Sequence, residues 1–171
     1  MLDSRALFTL LIAAVALERL GELVISRRHE KALRAHGAVE TGAGHYPVMV
    51  GIHAALLLAA PAEVWLLDRP FLPWLGWPML ALVAATMALR YWVIASLGER
   101  WATRVLALPG APLVAAGPYR FLRHPNYLAV AVEVVALPLV HTAWLTALVC
   151  GAANLTILAW RIRVEDAALR G

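Results

Sequence analysis

"YLAVAVEVVALPLVHTAWLTALVCGAANLTILAW", residues 127–160, is an apolar run of 34 residues interrupted by Glu133, His141 and Asn154. A helix of that length would extend ~50 Å at ~1.5 Å per residue, well beyond a hydrocarbon core of ~30 Å. Pro138, followed by His141 and Thr142, offers a place for the chain to turn back. The run therefore reads as a helical hairpin with spans over about 127–140 and 143–160. Three further apolar stretches, about 6–25, 48–67 and 75–97, each match the ~20 residues of one crossing. The expected fold is an all-α integral membrane protein of about five transmembrane helices, forming a single membrane-embedded domain over 1–171.

Composition agrees. Hydrophobic residues make up 62% of the 171 and the mean hydropathy is +0.72, against roughly half apolar in a soluble domain. The first apolar stretch carries Glu18, Arg19 and Glu22 in its second half, so it lacks the clean core and cleavage site of a signal peptide and is expected to stay in the mature protein. A lone cysteine, Cys150, excludes an internal disulfide and a cysteine-based zinc site. His45, His53 and His141 are too dispersed to suggest a metal.

Charge orients the five spans. Arg27, Arg28, Lys31, Arg34, Arg100, Arg104, Arg120, Arg123, Arg161, Arg163 and Arg170 all fall in the segments 26–47, 98–126 and 161–171, which five crossings place on one side. These are eleven of the fifteen basic residues, and the positive-inside rule puts them in the cytoplasm of a bacterial inner membrane, with the N-terminus outside. The net charge of +4 is explained by this bias, and nucleic-acid binding is not expected.

Two segments invite a functional reading. "VETGAGHYP", residues 39–47, suggests a glycine-rich nucleotide loop, but "RRHEKALRAHGA" precedes it where a buried strand is required, and a third glycine is missing. A flexible interfacial loop leading to a helix with Pro47 near its entry is the better account. "GPYRFLRHPNY", residues 117–127, is different. Pro125 restricts His124 to an extended or turn conformation, and the fourth helix, starting at about Asn126, points free N–H groups and its positive dipole end at the same place. Interfacial anchoring by tyrosines and snorkelling arginines is the plainer use of such residues, yet it does not account for their clustering around a proline-fixed turn.

Further along, "NLTILAWRIRVEDAAL" spaces Asn154, Arg161 and Glu165 by seven and four, on one helix face. Arg161 and Glu165 could be a surface pair; Asn154, two turns inside an apolar helix, needs a partner in the bundle. Glu133, at mid-depth, is a functional candidate because a membrane-buried carboxylate is costly, and it faces either a cavity or a basic partner such as Arg90.

Taken together, "GPYRFLRHPNY", a hairpin and "RIRVEDAAL" resemble the isoprenylcysteine carboxyl methyltransferase family over about residues 75–171. The earlier "ERLGELVISRRHEKALRAHGAVETGAGHYPVMV" is similar to the short bacterial branch of that family, some of whose members methylate hydroxyls of alkylresorcinols and alkylpyrones. The family's paired glutamates are Glu165 and Asp166 here, and the shorter Asp166 receives no role. The resemblance implies S-adenosylmethionine as cofactor, in a cytoplasmic-side pocket made by Tyr119, Arg123, His124, Pro125 and Tyr127, with Asn154 a further candidate. It implies Arg161 and Glu165 at the reaction centre, Arg161 orienting the acceptor and Glu165 orienting Arg161 or the cofactor.

An aromatic face can stabilise a sulfonium, and an arginine or the helix N-terminus can take the cofactor carboxylate. The expected acceptor is a lipophilic small molecule, bearing either a phenol-like hydroxyl or a prenylcysteine-like carboxylate. A phenol gains from a base, and Glu133 is the candidate for base or hydroxyl ligand. Glu22, one turn from Glu18, is a candidate for the acceptor site, although pairing with Arg19 or the basic loop is its plainer use. Phospholipid N-methyltransfer, a nicotinamide-dependent membrane reductase and a non-enzymatic membrane scaffold are the alternatives.

Overall fold

The computed structural model describes residues 3–112 and 114–168, and Arg170 of the basic set lies outside them. Five helices dominate: α1 (Ser4–Ala35), α2 (His45–Leu66), α3 (Pro73–Leu97), α4 (Pro125–Leu139) and α5 (Trp144–Ala168). The chain is not purely helical. Two-residue strands β1 (Val39–Glu40) and β2 (Leu106–Ala107) pair antiparallel, Val39 opposite Ala107 and Glu40 opposite Leu106. The segment expected to be a flexible loop is thus clasped to the 98–124 connection.

Local chemistry sets the helix ends. Asp3 caps α1, its carboxylate accepting from the Arg5 N–H at 3.4 Å. The same helix continues through the charged "RRHEKALRA" and stops at Gly37, whose φ of +87° lets the Gly37 and Ala38 N–H groups return to the Arg34 and Leu33 carbonyls at 3.1 and 3.0 Å. Prolines at the first helical position open α3 and α4. The expected reversal after Pro138 is observed: Thr142 takes a φ of +54°, Ala143 N–H reaches the Pro138 carbonyl at 3.0 Å, and the Thr142 hydroxyl donates to the Pro70 carbonyl at 2.6 Å.

The helices alternate in direction. Arg5 meets Asp68 and His141 meets Ser4 at one end, while Ser26 meets Thr103 and Arg161 meets Tyr127 at the other. The basic segments gather at this second end. α4 is the interior helix, packed mainly against α3 and α5, and α2 packs along α5; the shared core runs through Phe8, Ile12, Val15, Leu56, Val64, Val83, Val134, Leu137 and Leu158.

The outer surface is inverted relative to a soluble protein. Leu17, Leu58 and Leu148 are 69%, 74% and 70% exposed, while Glu22, Arg90, Glu133 and Arg161 are buried. Three helices are long and apolar enough to cross a membrane: α2, α3 and α5. α4, with 15 residues and ~22 Å of rise, is shorter than a hydrocarbon core, and α1 is interrupted by Glu18, Arg19 and Glu22. The chain is an integral membrane protein built on these apolar helices.

Candidate active site

A cavity of about 530 Å³ opens at the basic end, within the size range of ligand sites. Its walls come from the end of α3 (Val93, Leu97), the start of α4 (His124, Asn126, Tyr127) and the end of α5 (Arg161, Glu165, Asp166). The 98–124 connection, including Trp101, Arg104, Tyr119 and Arg123, closes it. That connection forms a strap. Ser26 on α1 donates to Glu30 at 2.6 Å and accepts from the Thr103 N–H at 2.9 Å; Arg104 donates to Glu40 at 2.5 Å and lies over the Tyr46 ring at 4.1 Å.

The polar centre is built on Arg161, only 5% exposed. Its Nε donates to the Tyr127 hydroxyl at 2.9 Å, its Nη2 to the Thr103 carbonyl at 2.5 Å, and its guanidinium carbon is 5.2 Å from the Tyr127 ring centroid. The Tyr127 hydroxyl in turn donates to Glu165. His124 stacks on Tyr127, with ring centroids 5.3 Å apart and planes inclined by 14°. One imidazole nitrogen, Nε2, is 3.1 Å from Asp166 Oδ1, and Nδ1 is 3.8 Å from Glu165 Oε1. Burial first, and the charge of Glu165 second, push the Tyr119 phenol up to about 12, so it stays protonated at neutral pH.

Of the residues singled out in the sequence, Tyr119, Arg123, His124, Tyr127, Arg161 and Glu165 share this cavity. Pro125 is buried behind it at the first position of α4. Asn154 is not in its wall: it sits deeper on α5, 1% exposed, with neither side-chain atom hydrogen-bonded.

Glu133 and Glu22 also lie elsewhere. Arg19 donates to Glu133 at 2.6 and 2.7 Å and to Glu22 at 2.8 Å, while Arg90 donates to Glu22 at 2.5 and 2.6 Å. The expected Glu133–Arg90 pair is therefore replaced by a relay in which Arg19 takes Glu133 and Arg90 takes Glu22. Arg19 and Glu22, three residues apart on α1 and themselves paired, join the two halves of the relay.

Asp166, Asn126, Trp101 and Thr103 also stand at the site, although no motif assigns them a role. Asp166 is shorter than the family's glutamate, yet it reaches His124. Trp101 and Asn126 carry no spacing signal; among the described residues their buried polar atoms have no partner, a donor at Trp101 Nε1 and an acceptor at Asn126 Oδ1, and both residues line the cavity.

A second hollow, of about 330 Å³, lies between α4 and α5 and is lined by Leu128, Ala131, Leu155, Leu158, Ala159 and Ile162. At its head stand His124 and Tyr127, which also line the polar cavity.

Comparison with known proteins completes the description. The profile of the isoprenylcysteine carboxyl methyltransferase (ICMT) family matches residues 79–171, which include the whole polar centre. The chain is 38% identical over 165 residues to the uncharacterized protein YpbQ of Bacillus subtilis (strain 168), covering 96% of this chain and 97% of that one. It is 34% identical over 160 residues to an uncharacterized protein of Haemophilus influenzae (strain ATCC 51907 / DSM 11121 / KW20 / Rd), covering 92% and 91%.

Proposed function

The chain belongs to the isoprenylcysteine carboxyl methyltransferase family, which makes it a membrane methyltransferase, and we propose that it methylates an oxygen of a lipophilic acceptor using S-adenosylmethionine. The acceptor is a hydroxyl-bearing lipid of the alkylresorcinol or alkylpyrone kind, or a prenylcysteine-like carboxylate. The observation that carries this reading is the position of His124 and Tyr127, common to a polar cavity at the basic end and an apolar hollow between α4 and α5. A soluble cofactor and a membrane-borne chain can meet at residues that line both spaces. With the basic end toward the cytoplasm, the cofactor arrives from water and the acceptor from the bilayer.

The cavity suits the cofactor. It offers an unpartnered donor on Trp101 and an unpartnered acceptor on Asn126, as an amino acid and a ribose both require. Arg123, Tyr119 and Asn126 are assigned to the polar ends, and the Tyr127 and His124 faces to the sulfonium. When bound, adenosylmethionine supplies an electrophilic methyl group. The protein's own task is to hold an acceptor oxygen in line with it. Arg161, fixed by Tyr127 and Thr103, is the cation facing that oxygen, and Glu165 keeps Tyr127 and hence Arg161 in place. The acceptor chain is assigned to the hollow lined by Leu128, Leu155 and Leu158.

Purified protein in detergent, incubated with labelled adenosylmethionine and an alkylresorcinol, a prenylcysteine or phosphatidylethanolamine, tests the proposal. Label on an oxygen of either of the first two is expected. Label on the phosphatidylethanolamine nitrogen, or binding of NADPH in place of adenosylmethionine, would overturn it.

A further inference from the structure

His124 is placed for more than stacking. It lines both the polar cavity and the apolar hollow, and its two ring nitrogens face different carboxylates. Asp166 Oδ1 is 3.1 Å from Nε2. An ionised carboxylate can only accept, so Nε2 must carry the hydrogen, and a neutral ring then has its lone pair on Nδ1. Nδ1 is 3.8 Å from Glu165 Oε1, outside hydrogen-bond distance. The neighbouring groups are otherwise engaged: Glu165 accepts from Tyr127, Tyr127 also accepts from Arg161, and burial keeps Tyr119 protonated. A carboxylate is in any case a far weaker base than an imidazole. The charged and titratable groups around the ring are Asp166 and Glu165 from α5, Tyr127 from its own helix, and Arg100, Arg104, Tyr119, Arg123 and Arg161 in the wall of the polar cavity.

We propose that His124 Nδ1, with its tautomer set by Asp166, is the general base for a hydroxyl acceptor whose chain lies between α4 and α5. The proposal rests on the methyltransferase reading above and narrows its substrate to a phenol or enol rather than a carboxylate, which needs no base. The acceptor's O–H proton passes to Nδ1 as an oxygen lone pair takes the methyl group. The electrons of the broken methyl–sulfur bond stay on sulfur, which loses its positive charge, and the imidazolium then releases the proton to water. Asp166 acts through His124 and is a positioning residue, not a catalytic one. Glu133, bound to Arg19 and bordering neither space, has no part in this step.

The test needs no cofactor. An alkyl-substituted nitrophenol, whose phenolate absorbs in the visible, is titrated into the wild-type protein about one pH unit below the probe's own pKa. A bound phenolate band is expected in the wild type, lost in His124→Gln and weakened in Asp166→Asn, which keeps volume but can pair with either tautomer and so no longer enforces one. A probe that stays neutral in the wild type, or ionises equally in His124→Gln, overturns the proposal.

Turnover gives a second readout. With adenosylmethionine and an alkylresorcinol, His124→Gln should lose about 10²- to 10⁴-fold in kcat, the size of a lost general base. The loss should shrink as the pH rises or as more acidic phenols are supplied. A loss independent of acceptor acidity, or confined to adenosylmethionine binding, leaves His124 only the sulfonium-facing role given above and sinks the proposal. Absence of transfer by the wild type to every acceptor counts against the methyltransferase reading instead, and the nitrophenol titration still decides this one.

Discussion

Replacing Arg19 with glutamine should be among the most damaging single changes in the transmembrane region, and the structure sets the size of the effect. Glu18, Glu22 and Glu133 share two guanidiniums, Arg19 and Arg90. Arg90 is committed to Glu22 through two contacts of 2.5 and 2.6 Å. Among the described residues Arg19 alone holds Glu133, at 2.6 and 2.7 Å, and it also touches Glu22 at 2.8 Å and Glu18 at 3.0 Å. Glu133 is buried, so losing the one cation paired with it among the described residues leaves a carboxylate that must either stay charged in an apolar surrounding or take up a proton. Breaking a buried pair from one side costs about 3–5 kcal/mol, two to nearly four orders of magnitude in the folding equilibrium at about 1.4 kcal/mol per tenfold.

Glu133→Gln should cost less, about 1–3 kcal/mol, because Arg19 keeps Glu22 and Glu18. The double variant should be more stable than the sum of the two losses implies, with a coupling of about 1–3 kcal/mol. Equilibrium unfolding in mixed micelles, followed by tryptophan fluorescence, measures all four corners of this cycle. An Arg19→Gln loss below about 1 kcal/mol, or strict additivity, would show that the relay carries no structural load.

Arg161→Lys should reduce methyl transfer by about tenfold or more and destabilise the protein by about 1.5–3 kcal/mol. A single ammonium cannot reproduce the separate donors now on the Tyr127 hydroxyl and the Thr103 carbonyl, and parallel kinetics and unfolding check this. Gly117→Ala should weaken adenosylmethionine binding. Gly117 has a φ of +57°, and a Cβ there would collide with Ser96 Oγ and come within 3.1 Å of Trp92 Nε1, displacing the strap; calorimetric titration reads the change.

The strap's clasp should open in acid. Burial raises the Glu40 carboxyl, but hydrogen bonds from Arg104 and Arg34 outweigh it and hold its pKa below the ordinary range. A depressed carboxyl contributes stability that is complete above its unfolded pKa of ~4.3 and fades as the pH falls through the folded value. Amide exchange at β1 and β2, corrected for intrinsic rates, should therefore accelerate below pH ~4. Glu40→Gln should be looser at neutral pH and lose the acid dependence; an unchanged profile would contradict the clasp.

Most of the helical plan could be read from local signals. Apolar length predicts the helical segments, Pro125 marks the start of α4 to within a residue, and the 138–142 reversal follows from 34 residues that one crossing cannot accommodate. The R-H-P-x-Y and R-x-x-x-E spacings single out Arg123, His124, Tyr127, Arg161 and Glu165, all of which meet in one cavity. Those signals are local because a motif's residues share one helix or one turn.

Local pattern thus settles which segments are helical, which end is basic and which polar residues cluster beside α4 and at the end of α5. Who pairs with whom is settled only when the helices pack. Arg19 rather than Arg90 meets Glu133, Asp166 rather than Asn154 joins the site, and the 98–124 connection becomes a strap tied to α1 and β1. Each outcome depends on how two helices distant in sequence are rotated against each other. Burial energy is non-directional, so an apolar pattern specifies that a helix is buried without specifying which of several possible partners its few charges will face.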